Sequence, residues 1–327
     1  MCYKDEEQKK DNNKLNEKIK DMPLFIKEYF SYIKSSKTKL NNWSVIRKFF
    51  EWIIEEEVIS NTLEIISPDN LGNVKAVDVI NYLDDLLEEN SIDTVNTKMN
   101  IISGFWTYLV DNDYVNKNII NKKVTEKYEI EDKNKFVKVP TDEEIEKLIN
   151  ELYNIKNEFV AVRNVAIIRL FCGTGIRLAE LVGLDMEDLH FDCENPYISI
   201  MPKGKKHTKR NVPINQSAIN AINDYISIRN IDDDAKNLKP LFLSTHSDTN
   251  KGKKRLTKAA IQEFIDRYSN EEIHPHMLRD YAAMKMQENG CPLEVISEVL
   301  GHKDINTTKR HYINIDMSSA YRALNSY

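Results

Sequence analysis

The 327 residues, 41% of them hydrophobic and 30% charged, exceed a single core and read as a folded chain of two domains, not a disordered one. No apolar run approaches the ~18 residues of a membrane span. The charged stretch Met1–Lys20 cannot act as a secretory signal, and Cys2, Cys172, Cys193 and Cys291 lack the spacing of a zinc site or disulfide framework, so a reduced, cytoplasmic protein with no metal and no membrane partner is expected.

Taken in chain order, residues 1–21 form a polar tail without periodicity. A small all-helical domain follows over 22–120. Its first helix carries Phe25, Ile26, Tyr29, Phe30 and Ile33, and its second carries Trp43, Ile46, Phe49, Phe50, Ile53 and Ile54. Val77, Ile80, Leu83, Leu86 and Leu87 predict a third. Ser91 is the expected N-cap of a fourth, with Met99, Ile102, Phe105, Trp106 and Leu109 facing inward.

Residues 121–138 have the composition of a linker, rich in Lys, Glu, Asp and Asn. A second domain, 139–327, opens at Thr141, where Glu144 completes a capping box, and helices are expected through Leu189. Strand-like runs at Tyr197–Met201 and Arg210–Ile214 then predict a β-hairpin with a lysine-rich tip. Helices resume from Gln216, with loops at 230–240 and 244–255. The fold class expected is mainly α: a helical N-terminal domain plus an α-rich α+β domain with a small hairpin or sheet.

The net charge of −6 is not that of a typical nucleic-acid binder. Its distribution is uneven, however. Lys203, Lys205, Lys206, Lys209 and Arg210 form one basic cluster, and Lys251, Lys253, Lys254, Arg255 and Lys258 another. On an acidic body such patches can supply phosphate contacts, although lysine runs are commonly solvated loops.

Four motifs in the second domain stand in a telling order. The first is Gly173-Thr174-Gly175-Ile176-Arg177, running into Glu180-Leu181-Val182-Gly183-Leu184, with Arg177 and Glu180 expected on one helix face. Next come the tip Pro202-Lys203-Gly204-Lys205-Lys206 and the segment His274-Pro275-His276-Met277-Leu278-Arg279-Asp280. Last is Leu300-Gly301-His302, with Tyr312 ten residues beyond the histidine. Singly, each has a structural reading: an exposed ion pair, a solvated loop, a capping histidine, a core tyrosine.

As an ordered series, Arg177, Lys203, His276, Arg279, His302 and Tyr312 resemble the active-site residues of the tyrosine recombinases and phage integrases. The surrounding text is similar as well, including Leu300-Gly301-His302-Lys303-Asp304-Ile305-Asn306-Thr307-Thr308. The resemblance covers about residues 140–315, and more weakly 22–120, which looks like the family's core-binding domain. Many members place the tyrosine nine residues after the histidine, where this chain has His311. The ten-residue spacing of Tyr312 resembles integrases of conjugative transposons.

The resemblance implies a site-specific recombinase that cleaves and rejoins double-stranded DNA through a 3′-phosphotyrosine, without metal or ATP. Arginine suits the phosphate because its fixed fork meets two oxygens and stays charged. Arg177 and Arg279 are thus the expected clamp, with His302 as a further donor and Glu180 orienting Arg177. His276 is the expected base for Tyr312, and Lys203, with Lys205 as fallback, the acid for the departing 5′-oxygen. Lys205, Lys206, Lys209, Arg210, Thr94 and Lys98 are expected DNA contacts.

A homotetramer on synapsed DNA is also implied, aided by accessory recombination proteins in some systems, in a bacterial, phage or mobile-element setting. The Met317, Tyr321 and Leu324 stripe is expected to dock on a neighbour. The short tail before Phe25 favours two domains over the three of lambda-type integrases. Type IB topoisomerases and telomere resolvases fit the motifs less well. The alternative of a different class is an inactive, recombinase-derived DNA-binding protein.

Overall fold

In the computed structural model, which describes residues 3–128, 138–202, 208–230, 239–248 and 252–301, helices begin where the sequence supplies caps. The chain divides into two units, Met1–Lys135 and Phe136–Tyr327. The first contains α1 (Tyr3–Lys18), α2 (Leu24–Ser31), α3 (Ser36–Glu55), α4 (Pro68–Gly72), α5 (Ala76–Glu89), α6 (Ile92–Asp111) and α7 (Lys122–Lys127). Ser35 and Ser91 start α3 and α6 by accepting the amides of Thr38 and Thr94.

The apolar stripes of α3 and α6 meet in an aromatic core. Phe49 packs edge-on against Trp106 at 5.6 Å, and Phe50 against Phe105 at 5.7 Å. This geometry sets the positive edge of one ring against the negative face of the other. Tyr108 of α6 donates to the Phe25 carbonyl at 3.1 Å, fixing α2 to the same core.

Three expectations for this unit need correction. Residues 1–21 are not a free tail, because α1 occupies most of them and Leu15, Ile19 and Met22 are buried in the core. Only Leu15 lies within α1; Ile19 and Met22 follow in the turn after it, so no apolar period runs along the helix. In α5, Val77 and Leu87 are 52% and 36% exposed, while Val79, Tyr82 and Leu83 are buried. The expected set combined two faces of one helix. Finally, the presumed linker begins as structure: Asn121 caps α7, and Val124 and Tyr128 are buried, with the Tyr128 hydroxyl 2.8 Å from Asp84. Residues 129–137 lie outside the described residues.

The second unit contains α8 (Asp142–Tyr153), α9 (Glu158–Thr174), α10 (Leu178–Val182), β1 (Leu189–His190), β2 (Tyr197–Ile200), β3 (Arg210–Pro213) and α11 (Gln216–Arg229). It continues with β4 (Leu243–Asp248), β5 (Gly252–Arg255), α12 (Lys258–Tyr268), α13 (Pro275–Glu288) and α14 (Leu293–Leu300). The Thr141–Glu144 capping box forms as expected. Helix α9 is apolar nearly all round, and α8, α11 and α13 pack against it.

Strands β1, β2 and β3 form an antiparallel sheet in that order, with Ile198 facing Val212 and Ile200 facing Arg210. Ile198, Ile200 and Val212 supply its buried face. Two local readings change here. Regular helix stops at Val182, and Leu189 is already in β1. Residues 244–255, expected as a loop, lie mostly in the antiparallel β4–β5 pair, whose register shifts between Leu243 and Ser247 and so breaks any alternation in the sequence. The mainly α class with small antiparallel sheets stands. Among the described residues, no helix is long and apolar enough to cross a membrane.

All three tryptophans (Trp43, Trp52 and Trp106) lie in the first unit, so their fluorescence reports its unfolding alone. Leu15→Ala should lower that unit's stability in urea by about 2–5 kcal/mol, as deleting a buried leucine does. An unchanged midpoint and slope would mean that α1 is the solvated tail its composition resembles.

Candidate active site

Helix α9 ends at Gly175, which adopts a left-handed φ of 65° and turns the chain sharply. A side chain there would strain the backbone and place a Cβ 2.7 Å from Leu300. The turn delivers Arg177 as the N-cap residue of α10, not as a residue within a helix as expected. Glu180, at the third helical position, accepts the Arg177 backbone N–H at 2.9 Å and its Nη1 at 3.3 Å. One buried carboxylate, 3% exposed, therefore holds Arg177 at both ends.

The other end of the site is the C-terminus of α14. A helix ends in carbonyls without intrahelical partners and carries partial negative charge there. Three guanidiniums meet those carbonyls. Arg177 Nη2 donates to Gly301 O at 3.1 Å, and Arg279 Nη2 to Leu300 O at 2.8 Å. Arg210 Nη1 donates to Val299 O at 2.6 Å, and its Nη2 to Leu300 O at 3.3 Å. Arg279, buried on α13, also donates to Gly175 O at 2.7 Å, so it joins the ends of α9 and α14.

Arg177, Arg279 and His276 border one cavity of about 390 Å³, together with Leu178, Gln262, His274 and Pro275. The expected Arg177–His276–Arg279 grouping is therefore present, assembled from α10, α13 and the turns before them. The Arg177 side chain is 33% exposed and can present donors to a ligand. The His276 side chain is 71% exposed, with Nδ1 3.8 Å from the buried carboxylate of Asp280. Among the described residues, no group of three or more His, Cys, Asp or Glu is placed to hold a metal.

Other assignments move. The Arg210 guanidinium, expected to face DNA, is directed at α14 carbonyls, with Nη2 3.8 Å from Glu180. Burial is the main cause that lowers its pKa; Glu180 opposes the shift and the Arg177 charge adds to it. Lys209 is paired with the buried Asp188. Arg255 of the second basic cluster donates to the carbonyls of Val182 at 2.7 Å and Leu184 at 2.8 Å.

Thr94 and Lys98 lie on α6 of the first unit. Thr94 is exposed, and Lys98 donates to Asn90 at 3.0 Å. Lys203, Lys205, Lys206, His302, Tyr312 and the Met317, Tyr321 and Leu324 stripe lie outside the described residues. Sequence reasoning missed Asp280 and the role of Arg210. Asp280 had a signal, four residues beyond His276 on one helix face, whereas the carbonyl partners of Arg210 are 88–90 residues away.

Because Glu180 sits between Arg177 and Arg210, Glu180→Ala should destabilise the second unit by about 3–5 kcal/mol, the usual cost of breaking a buried ion pair. Hydrogen exchange at the α10 and α14 amides would record it. Unchanged protection there would show that the carboxylate does not hold the cluster.

Residues 138–319 match the phage integrase family model. A tyrosine recombinase XerC of Thermodesulfovibrio yellowstonii is 30% identical over 249 residues, covering 71% of this chain and 74% of that protein. A tyrosine recombinase XerC of Escherichia coli O157:H7 is 34% identical over 187 residues, 54% of this chain and 57% of that protein. Among solved structures, a Tn1549 transposon integrase in complex with transposon right end DNA has TM-score 0.65 at 19% identity, covering 92% of this chain and 97% of that one. The XerH site-specific recombinase bound to difH substrate has TM-score 0.61 at 22% identity, covering 88% and 79%. At such identities the structures show a shared fold, while the family match spans more than half of the sequence. The chain belongs to the phage integrase family.

Proposed function

We propose that this protein is a site-specific DNA recombinase that cuts and rejoins duplex strands through a 3′-phosphotyrosyl bond at Tyr312. The observation that carries the reading is the placement of Arg177, Arg279 and His276, from distant segments, around one cavity. The relatives named tyrosine recombinase XerC, the site-specific recombinase XerH bound to difH substrate and the transposon integrase bound to transposon end DNA support the reading. The binding-only alternative has no observation in its favour.

In the proposed reaction the Tyr312 phenolic oxygen bonds to phosphorus, the P–O5′ bond breaks, and the 5′-oxygen leaves as a hydroxyl. Negative charge grows on the non-bridging oxygens, where Arg177 and Arg279 supply fixed donors and His302 a third. A phenol has pKa ~10, so it needs a base, and His276 faces the cavity for that task. The buried Asp280 carboxylate lies where it can meet the charge the ring gains. Lys203 gives the leaving oxygen its proton, with Lys205 as the fallback. The phosphotyrosyl bond conserves the phosphodiester's energy, so reversal of the step rejoins the strand without ATP.

DNA contacts are assigned to Lys205, Lys206, Thr94 and Lys98. Burial, and then the Lys48 charge, lower the Lys98 pKa. A phosphate beside those two ammonium groups would relieve their repulsion. We assign the working form as a tetramer on synapsed DNA, linked through the segment after Tyr312, and its compartment as the cytoplasm.

Arg177→Lys should slow covalent cleavage by about 10²–10³, because lysine cannot reproduce the fork. EDTA should leave both proteins' rates unchanged, and a strict magnesium requirement would count against the mechanism. A 5′-thio leaving group needs no proton, so that substrate should restore cleavage to Lys203→Ala but not to Arg177→Lys. Rescue of Lys205→Ala instead would move the acid two residues along the hairpin.

A further inference from the structure

Arg210 begins β3 directly opposite Ile200, at the base of the hairpin whose connecting residues include Lys203. Its side chain leaves the sheet and reaches the end of α14. There it donates to Val299 O at 2.6 Å and to Leu300 O at 3.3 Å, and lies 3.5 Å from Glu298 O. Leu300 O also receives Arg279, and the Glu180 carboxylate that orients Arg177 lies 3.8 Å from Arg210 Nη2. The backbone has been fitted to this guanidinium. Gly301 adopts a left-handed φ of 67°, and a Cβ there would stand 3.1 Å from the Arg210 guanidinium carbon.

We propose that Arg210 is a positioning residue for strand cleavage: it sets Arg177 and Arg279 in place through the Glu180 carboxylate and the Leu300 carbonyl, and does not itself contact DNA. This rests on the assignment of Arg177 and Arg279 as the phosphate clamp. The electrostatics fit the task. Three like charges can gather only where acceptors separate them, and here the acceptors are one carboxylate and a helix C-terminus. The Arg210 guanidinium bonds two carbonyls and lies 3.8 Å from a carboxylate at once, a spread of donors that a lysine ammonium does not offer. Loss of Arg210 leaves Glu180 to Arg177 alone and frees Val299 O, so the turn and both neighbouring guanidiniums can shift. Displacement of about 1 Å in such a site can cost about 10² in rate.

The test uses the full-length protein and a nicked duplex of the site sequence recovered from trapped covalent complexes. Arg210→Met keeps the stem's length without the charge, and Arg210→Lys keeps the charge should the first variant fold poorly. Each should bind the duplex with wild-type affinity and an unchanged salt slope. In single-turnover cleavage Arg210→Met should fall by about 10² and Arg210→Lys by less. The 5′-thio substrate should rescue neither. Combined with Arg177→Lys, the Arg210→Met defect should fall short of the product of the separate defects by at least about tenfold, as expected of residues acting through one network.

A salt slope lowered by about 1 would mean a phosphate contact and overturn the proposal. Wild-type cleavage by both Arg210 variants, full multiplication with Arg177→Lys, or rescue by the 5′-thio substrate would each overturn it too. If Arg177→Lys itself cleaves at the wild-type rate, the clamp assignment fails first, and that outcome is read from the single variant alone.

Discussion

The end of α14 presents carbonyls that no helix can satisfy from within, and three guanidiniums from three separate segments converge on them around one buried carboxylate. Much else in the second unit follows from that contact. It requires α9 to stop at a left-handed glycine, so that Arg279 can also reach the Gly175 carbonyl. It also requires Arg177 to sit at a helix N-terminus with Glu180 one turn away. Donors fixed by hydrogen bonds in this way are what stabilisation of developing charge demands.

The same use of arginine recurs through the unit. Arg163 donates to Leu243 O at 2.8 Å, Arg229 to Pro240 O at 3.0 Å, and Arg255 to Val182 O and Leu184 O. These side chains serve as clips between a helix or loop and the carbonyls of a distant segment. Arg177 and Arg279 line the cavity, while several of the cations counted in the sequence are turned inward. Lys209, tied to the buried Asp188, belongs to the same pattern.

What the sequence made legible, and what it did not, follows from the range of the interactions. Caps such as Ser91 and Thr141 act over three residues, so a local pattern reveals them, and the aromatic stripes of α3 and α6 declare their buried face by spacing alone. Arg177, His276 and Arg279 each have a structural reading singly, and only their order, through the family resemblance, marked them. Their convergence on one cavity could be expected only from the family resemblance. The partners of Arg210 were not legible, because nothing near it in sequence marks its carbonyl partners on α14. Helix α1 was misread because, of the buried apolar side chains that anchor its end, only Leu15 lies within the helix, and Ile19 and Met22 follow it. The β4–β5 pair was hidden by a register shift that breaks alternation.

The central claim is that the arginine cluster serves a tyrosine nucleophile at position 312. It is tested most directly by trapping the protein on its nicked recombination site, digesting the adduct, and sequencing the nucleotide-bearing peptide by mass spectrometry. The account predicts a 3′-phosphonucleotide on Tyr312, formed equally well in EDTA. A nucleotide on His311 or Tyr321, or cleavage that leaves no protein–DNA bond, would contradict it.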